Sequence, residues 1–267
     1  MQQERSVLAQ EVVWTAAYAY FGSWIGGALF LLPTAFDRQV WNFPFLFFMY
    51  LQFWGEVNPP ATSNPASWVK NYVCDEITQK LPRRTPSSER LVLQRIALDV
   101  LGFVLGIGAY VLTLGLFGQT SAVEQKLHPA TYVNCNWLHA TFIEFLVTVG
   151  TQLAGPALEF TLGLDPSHRT SLLLSNVVGS FVFLEYGLES TGAYMNPASA
   201  VGLFVVALAG RRTMASFGQV CTLLVVYVAG PLLGGVVSGV VESAIEISKR
   251  PSHTTVPTPT ADKRKDD

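Results

Sequence analysis

The chain has 267 residues, of which 50% are hydrophobic and 13% are charged, and its formal net charge is −2. A soluble domain normally carries about a quarter charged residues, so this composition is typical of a membrane protein. No basic patch of the kind that binds nucleic acid occurs, and the three cysteines are too few and too scattered for a disulfide framework or a metal site. No metal-ligand cluster, nucleophile–base pair or phosphate-binding loop indicates an enzyme or a cofactor.

Long apolar runs predict membrane-spanning helices. No charged side chain occurs from Val12 to Phe36 or from Val220 to Val241, and each run is long enough to cross roughly 30 Å of hydrocarbon. The first run lacks a strongly basic lead-in and an obvious cleavage site, so we interpret it as a retained span and not as a secretory signal. Apolar runs and helix breakers predict six spans, at 9–33, 39–56, 91–117, 137–162, 170–188 and 217–245.

The phrase Asn-Pro-Ala-Ser occurs twice, beginning at Asn64 and again at Asn196, 132 positions later (196 − 64). Proline suits the first turn of a helix, and asparagine before it is a favoured N-cap. Each copy therefore predicts the start of a helix too short to cross the membrane, at 65–74 and at 197–210. Short hydrophobic helices at matching places in two halves of a membrane protein are typical of re-entrant half-helices.

Further landmarks indicate an inverted duplication. Glu-x-x-x-Thr begins at Glu11 and at Glu144, 133 positions apart (144 − 11), and Gly-x-x-x-Gly begins at Gly102 and at Gly230, 128 positions apart (230 − 102). Because three spans per repeat is an odd number, the second repeat must enter the membrane upside down. We therefore expect an all-α membrane protein with six transmembrane helices and two re-entrant half-helices. The predicted units are a first repeat at 1–125, a second repeat at 126–248 and a disordered cytosolic tail at 249–267.

Positive charge predicts the orientation. Basic residues follow the first half-helix and fill the tail, two regions on the same side of a six-span protein, and the positive-inside rule makes that side cytoplasmic. Both termini are then cytosolic. Lys263 and Lys265 stand five and three places from the end of the sequence, like a dilysine retrieval signal, which is a receptor-read address. This signal favours the endoplasmic reticulum or another intracellular membrane over the plasma membrane, although a solvated basic tail is the alternative.

These features resemble the aquaporins, or major intrinsic proteins, over about 7–248. The resemblance is carried by the two Asn-Pro-Ala boxes, the Glu11 and Glu144 phrases, Gly230-Pro231-Leu232-Leu233-Gly234 and the run from Thr191 to Ala198. The approach to the first box, Asn58 to Ser63, looks more like the divergent intracellular superaquaporin branch. The resemblance implies a homotetramer in the lipid bilayer, with one pore for water and small neutral solutes in each subunit.

The two boxes are the predicted midplane of that pore. A helix N-terminus carries about half a positive charge, and two facing asparagines can donate to a passing water. A water whose oxygen faces both donors turns its hydrogens outward and interrupts a proton wire, while the helix dipoles exclude cations. The alternative is that each asparagine only caps its helix. The predicted midplane residues are Asn64, Pro65, Ala66, Asn196, Pro197 and Ala198.

Acidic residues inside the membrane are costly and usually partnered. The resemblance implies that Glu11 and Glu144 support the re-entrant loops by accepting hydrogen bonds from backbone N–H groups. We expect a similar structural role for Asp99, inside the third span. The alternative is that these carboxyl groups relay protons in a transporter.

The narrowest part of the pore departs from the family. The residue three places after the second box asparagine is Arg in most members and is Ser199 here. By family spacing, two further filter positions fall on Ala193 and Leu184, and the fourth falls between Trp41 and Phe45, with Phe45 as the chosen candidate. Such a filter should be wider or more apolar, so glycerol and hydrogen peroxide are expected to pass as well as water.

Two other classes of function remain open. A non-conducting membrane scaffold that has kept the fold would agree with the bulky Trp68 beside the first box and with the missing arginine. An ion-coupled carrier would use Glu11, Glu144, Asp99 or Glu185.

Overall fold

The computed structural model of the chain describes residues 2–31, 63–78, 86–116, 133, 135–163, 177, 186–187, 190–211 and 216–248. Within these ranges the regular secondary structure is entirely helical. The helices are α1 (Gln2–Leu31), α2 (Pro65–Thr78), α3 (Pro86–Leu116), α4 (Trp137–Leu162), α5 (Pro197–Arg211) and α6 (Phe217–Ser248). Inside α6, Leu223–Ala229 is a π-helical segment.

Local chemistry explains where several of these helices begin and end. The Asn136 side chain accepts from the Leu138 N–H at 3.0 Å and so caps α4. Ser216 and Gln219 form a reciprocal capping box at the start of α6, which satisfies two donors that a helix N-terminus leaves unpaired. Gly163 ends α4 in the left-handed conformation, with φ of 61°, as a helix-terminating glycine commonly does.

Three described helices are long and apolar enough to cross a bilayer. They are Glu89–Leu116, Trp137–Leu162 and Phe217–Ser248, which coincide with the predicted third, fourth and sixth spans. The predicted first span lies mostly within α1. The predicted spans at 39–56 and 170–188 lie outside the described residues except for positions 177 and 186–187, and so does the tail.

Glycines set the distance between helices within each repeat. A Cβ on Gly102 would lie 2.6 Å from the Thr15 Cβ, and a Cβ on Gly234 would lie 2.9 Å from the Thr148 Cβ. Small residues of this kind let helix backbones approach closely in membranes. The contacts therefore pair Gly102 with Gly234, 132 positions apart (234 − 102), whereas the sequence motif had matched Gly102 to Gly230. The two glycines are thus separated by the same 132 positions as Asn64 and Asn196.

Each short helix packs against a long helix from the other half of the chain. α2 lies on α6, where a Cβ on Gly239 would lie 2.6 Å from the Lys70 carbonyl oxygen. α5 lies on α3, where a Cβ on Gly202 would lie 2.8 Å from the Phe103 Cβ. This exchange of short helices between the halves brings the N-termini of α2 and α5 together.

Candidate functional site

Both box asparagines cap their helices. Asn64 Oδ1 accepts from the Ala66 N–H at 2.9 Å, and Asn196 Oδ1 accepts from the Ala198 N–H at 3.0 Å. The side-chain oxygens thus satisfy one unpaired donor at each helix N-terminus. Fixing each oxygen in this way also fixes the direction of the amide nitrogen, because an asparagine amide is planar.

The two amide nitrogens reach across to the opposite box. Asn196 Nδ2 donates to the Ser63 carbonyl at 2.7 Å, and Asn64 Nδ2 donates to the Met195 carbonyl at 3.4 Å. Ser63 and Met195 each stand directly before a box asparagine, so the arrangement is reciprocal. These asparagines therefore do more than cap: they join the two helix N-termini, with their partial positive charges, at one point.

A short segment leads into each box: the first lead-in is 58–63 and the second lead-in is 190–195. Described residues of both have unusual backbone conformations. Ser63, Ala193 and Met195 have φ of 49°, 49° and 48°, in the left-handed region that costs a residue with a Cβ free energy. Ser63 and Met195 occupy equivalent positions, so the residue directly before each box asparagine has the same left-handed backbone conformation. Such conformations persist only where surrounding contacts hold them.

Glu144 holds the second lead-in segment. Its carboxyl group is fully buried and accepts from the Tyr194 N–H at 3.0 Å and from the Met195 N–H at 2.7 Å. The N–H and C=O of one trans peptide point in opposite directions. The carbonyl groups of Ala193 and Tyr194 consequently point away from Glu144 and α4.

Ser63, the described residue of the first lead-in, is held by a different cluster of side chains. The Ser63 N–H donates to Glu11 at 3.4 Å, and the Ser63 hydroxyl bonds the Thr15 hydroxyl at 2.9 Å. Asp99, also buried, accepts from the Thr15 hydroxyl at 3.3 Å and from Trp68 Nε1 at 3.1 Å. Thr15 and Trp68 thus donate to Asp99 from their side chains, where the sequence had suggested backbone N–H groups of the loop.

Trp68 is fixed against α3. Besides the bond to Asp99, its ring lies under the Arg95 guanidinium, whose carbon is 4.2 Å from the ring centroid. A guanidinium over an indole face is an attractive cation–π contact. The bulk of Trp68 therefore joins α2 to α3, and this contact offers no support for the idea that the side chain blocks a passage beside the first box.

Two of the four predicted filter residues are described. Ala193 is 4% exposed and Ser199 is partly exposed in the first turn of α5, with its N–H 3.4 Å from Asn196 Oδ1. Leu184 and Phe45 lie outside the described residues. The structure accordingly brings Ala193 and Ser199 to the second box, on either side of its asparagine.

Tyr227 was not among the site residues that the sequence predicted. This buried residue of α6 donates its hydroxyl to the Thr191 carbonyl at 2.9 Å, two residues before Ala193. A hydroxyl inside an otherwise apolar span needs a partner, and that need was the only signal in the sequence. Nothing in the sequence indicated which main-chain group the hydroxyl would reach.

No protein-family model matches the sequence, and no curated protein matches it either. Among solved structures, the chain is similar to the X-ray structure of the aquaglyceroporin from Plasmodium falciparum, at 18% sequence identity and a TM-score of 0.64. The match covers 90% of this chain and 98% of that one. At this identity the likeness shows the fold, which is that of an aquaporin.

Proposed function

We propose that the chain is a passive transmembrane channel for water and small neutral solutes, with its midplane at Asn64 and Asn196. The observation that carries this proposal is the reciprocal pair of bonds from each asparagine amide to the residue before the other asparagine. This pair joins two helix N-termini inside a fold that a solved aquaglyceroporin shares.

The chemistry of that junction suits water and disfavours ions. Two helix N-termini create a positive potential that repels cations and protons. An amide nitrogen carries two hydrogens, so the Asn196 amide has a second hydrogen beyond its bond to Ser63. A water that accepts from the asparagines keeps its oxygen towards them, which breaks the proton wire.

The lead-in to the second box supplies acceptors beside these donors. Since Glu144 holds the N–H groups on one side of the segment, the Ala193 and Tyr194 carbonyls point to the other side. A solute that donates hydrogen bonds, such as water, glycerol or hydrogen peroxide, would pass along these oxygens. Ser199 in place of a guanidinium leaves more room, and Leu184 and Phe45 would complete the constriction.

The chain would have six spans and two re-entrant half-helices, α2 and α5, with both termini in the cytosol. It would assemble as a homotetramer in an intracellular membrane, the endoplasmic reticulum being favoured by the dilysine pattern. The lead-in to Asn64 places it nearest the superaquaporin branch.

Osmotic shrinkage of liposomes that contain the purified chain tests the proposal. We expect fast shrinkage with a low activation energy, and glycerol uptake above that of protein-free liposomes. Shrinkage no faster than in protein-free liposomes, with the chain folded, would contradict the channel and favour a scaffold. Saturable uptake driven by a pH gradient would instead identify a carrier.

A further inference from the structure

The lead-in to the second box is tied at three successive places. The Tyr227 hydroxyl bonds the Thr191 carbonyl at 2.9 Å, the Thr191 hydroxyl accepts from the Ala193 N–H at 3.3 Å, and Glu144 takes the next two N–H groups. Thr191 is fully buried. Glu144 and Thr191 hold N–H groups, whereas Tyr227 holds a carbonyl, so its hydroxyl fixes the orientation of the peptide that precedes Gly192.

That peptide leads into two residues with a positive φ. Gly192 has φ of 83°, a conformation that glycine adopts at little cost. Ala193, the next residue, has a positive φ that its Cβ disfavours. The tie at Thr191 therefore acts directly before a flexible residue and a strained one, where a small rotation would displace the Ala193 methyl and carbonyl.

The π-helical segment carries Tyr227 at this position. Its bonds span five residues, as the Gly230 N–H bonded to the Val225 carbonyl shows, and such widened turns occur often at functional sites. The Tyr227 ring also packs edge-on against the Tyr194 ring, with centroids 5.0 Å apart and an interplanar angle of 75°. Ring and hydroxyl thus contact the lead-in on both sides of Ala193.

The position of the first repeat that matches Tyr227 carries Arg95. Tyr227 stands seven residues before Gly234 (234 − 227), and Arg95 stands seven residues before Gly102 (102 − 95). Arg95 lies over the Trp68 ring. The sequence therefore places no tyrosine hydroxyl at the matching position of the first repeat.

We propose that Tyr227 is a positioning residue that sets the width of the constriction at Ala193, by holding the Thr191 carbonyl. This inference rests on the proposed channel function. Without the hydroxyl, the peptide between Thr191 and Gly192 rotates, and the opening beside Ala193 changes its width. A wider or narrower opening changes the passage of a larger solute more than that of water.

The test compares Tyr227→Phe with Tyr20→Phe in the full-length chain. Both variants lose one hydroxyl that bonds between segments, but the Tyr20 hydroxyl lies 3.5 Å from Thr113 Oγ1, in a contact between α1 and α3. Two quantities are measured: the ratio of glycerol to water permeability in liposomes, and amide hydrogen exchange over 190–196. One net hydrogen bond corresponds to about a 2- to 10-fold change in an equilibrium.

We expect Tyr227→Phe to speed exchange over 190–196 by about 2- to 10-fold and to change the permeability ratio by at least about twofold, while Tyr20→Phe changes neither. Equal exchange and an equal ratio in Tyr227→Phe and the unmutated chain would overturn the inference, and so would equal effects of both variants. The unmutated chain separates the two proposals. If it fails to conduct water, the channel itself is refuted, whereas a conducting chain with an unaltered ratio refutes only the role of Tyr227.

Discussion

The Glu144 carboxyl is the contact whose loss should cost the second box most. It lies at 0% exposure and accepts two backbone N–H groups at 2.7 and 3.0 Å. A buried donor left without a partner costs about 1–3 kcal/mol, so Glu144→Ala should destabilise the protein by roughly 2–6 kcal/mol, twice that figure. Glu144→Gln keeps one acceptor oxygen, so its loss of stability should be about half as large.

The order of stability expected is therefore unmutated chain, Glu144→Gln, Glu144→Ala. Thermal unfolding of the detergent-solubilised chain measures this order, and liposome shrinkage measures whether water passage falls with it. Glu89→Gln is the matched control, since the exposed Glu89 carboxylate accepts from the Tyr72 hydroxyl at 3.3 Å. A substitution at such an exposed contact usually changes the stability by about 0.5 kcal/mol or less.

The stabilising role of Glu144 would be refuted if Glu144→Ala unfolded at the temperature of the unmutated chain and conducted water at the same rate. This role would also be refuted if Glu144→Ala and Glu89→Gln had equal effects. Either result would mean that the Tyr194 and Met195 N–H groups find other partners at no cost.

Two further variants test the packing of α2 and the missing arginine. Gly235→Ala should lower the unfolding temperature, because its Cβ would overlap the Ala66 carbonyl; Gly108→Ala, where a Cβ meets nothing within 4 Å, should not. Equal unfolding temperatures in the two variants would contradict the close approach of α2 and α6. Ser199→Arg should reduce glycerol passage more than water passage in liposomes, because a guanidinium narrows the constriction; an unchanged ratio would remove Ser199 from the filter.

The sequence predicted the elements that depend on local chemistry. The helices α2 and α5 begin at Pro65 and Pro197, as the repeated phrase indicates, and the third, fourth and sixth spans coincide with helices of sufficient length and apolar character. Proline at the first helical position and long charge-free runs act within a few residues of chain. Such signals can be interpreted without knowing the fold.

The contacts that join distant segments could not be predicted in the same way. The bond from Tyr227 to Thr191 and the cluster around Asp99 connect residues 36 and 84 positions from their partners. Their geometry depends on how helices rotate about their axes, which composition and spacing leave open. The motif offset of 128 for Gly102 shows the same limit, because four residues make about one helical turn and the contacts select the register one turn away.

The proposed channel requires water to pass between the two box asparagines. The most direct measurement is osmotic shrinkage of liposomes carrying the Asn64→Asp, Asn196→Asp double variant, with Asn136→Asp as the control. All three positions are helix N-caps, and aspartate caps as well as asparagine. Only the double variant replaces amide donors by negative charge at the place where the two box helices meet. We predict that shrinkage is lost in the double variant and unchanged in the control, with equal amounts of folded protein. Fast shrinkage through the double variant would contradict the claim.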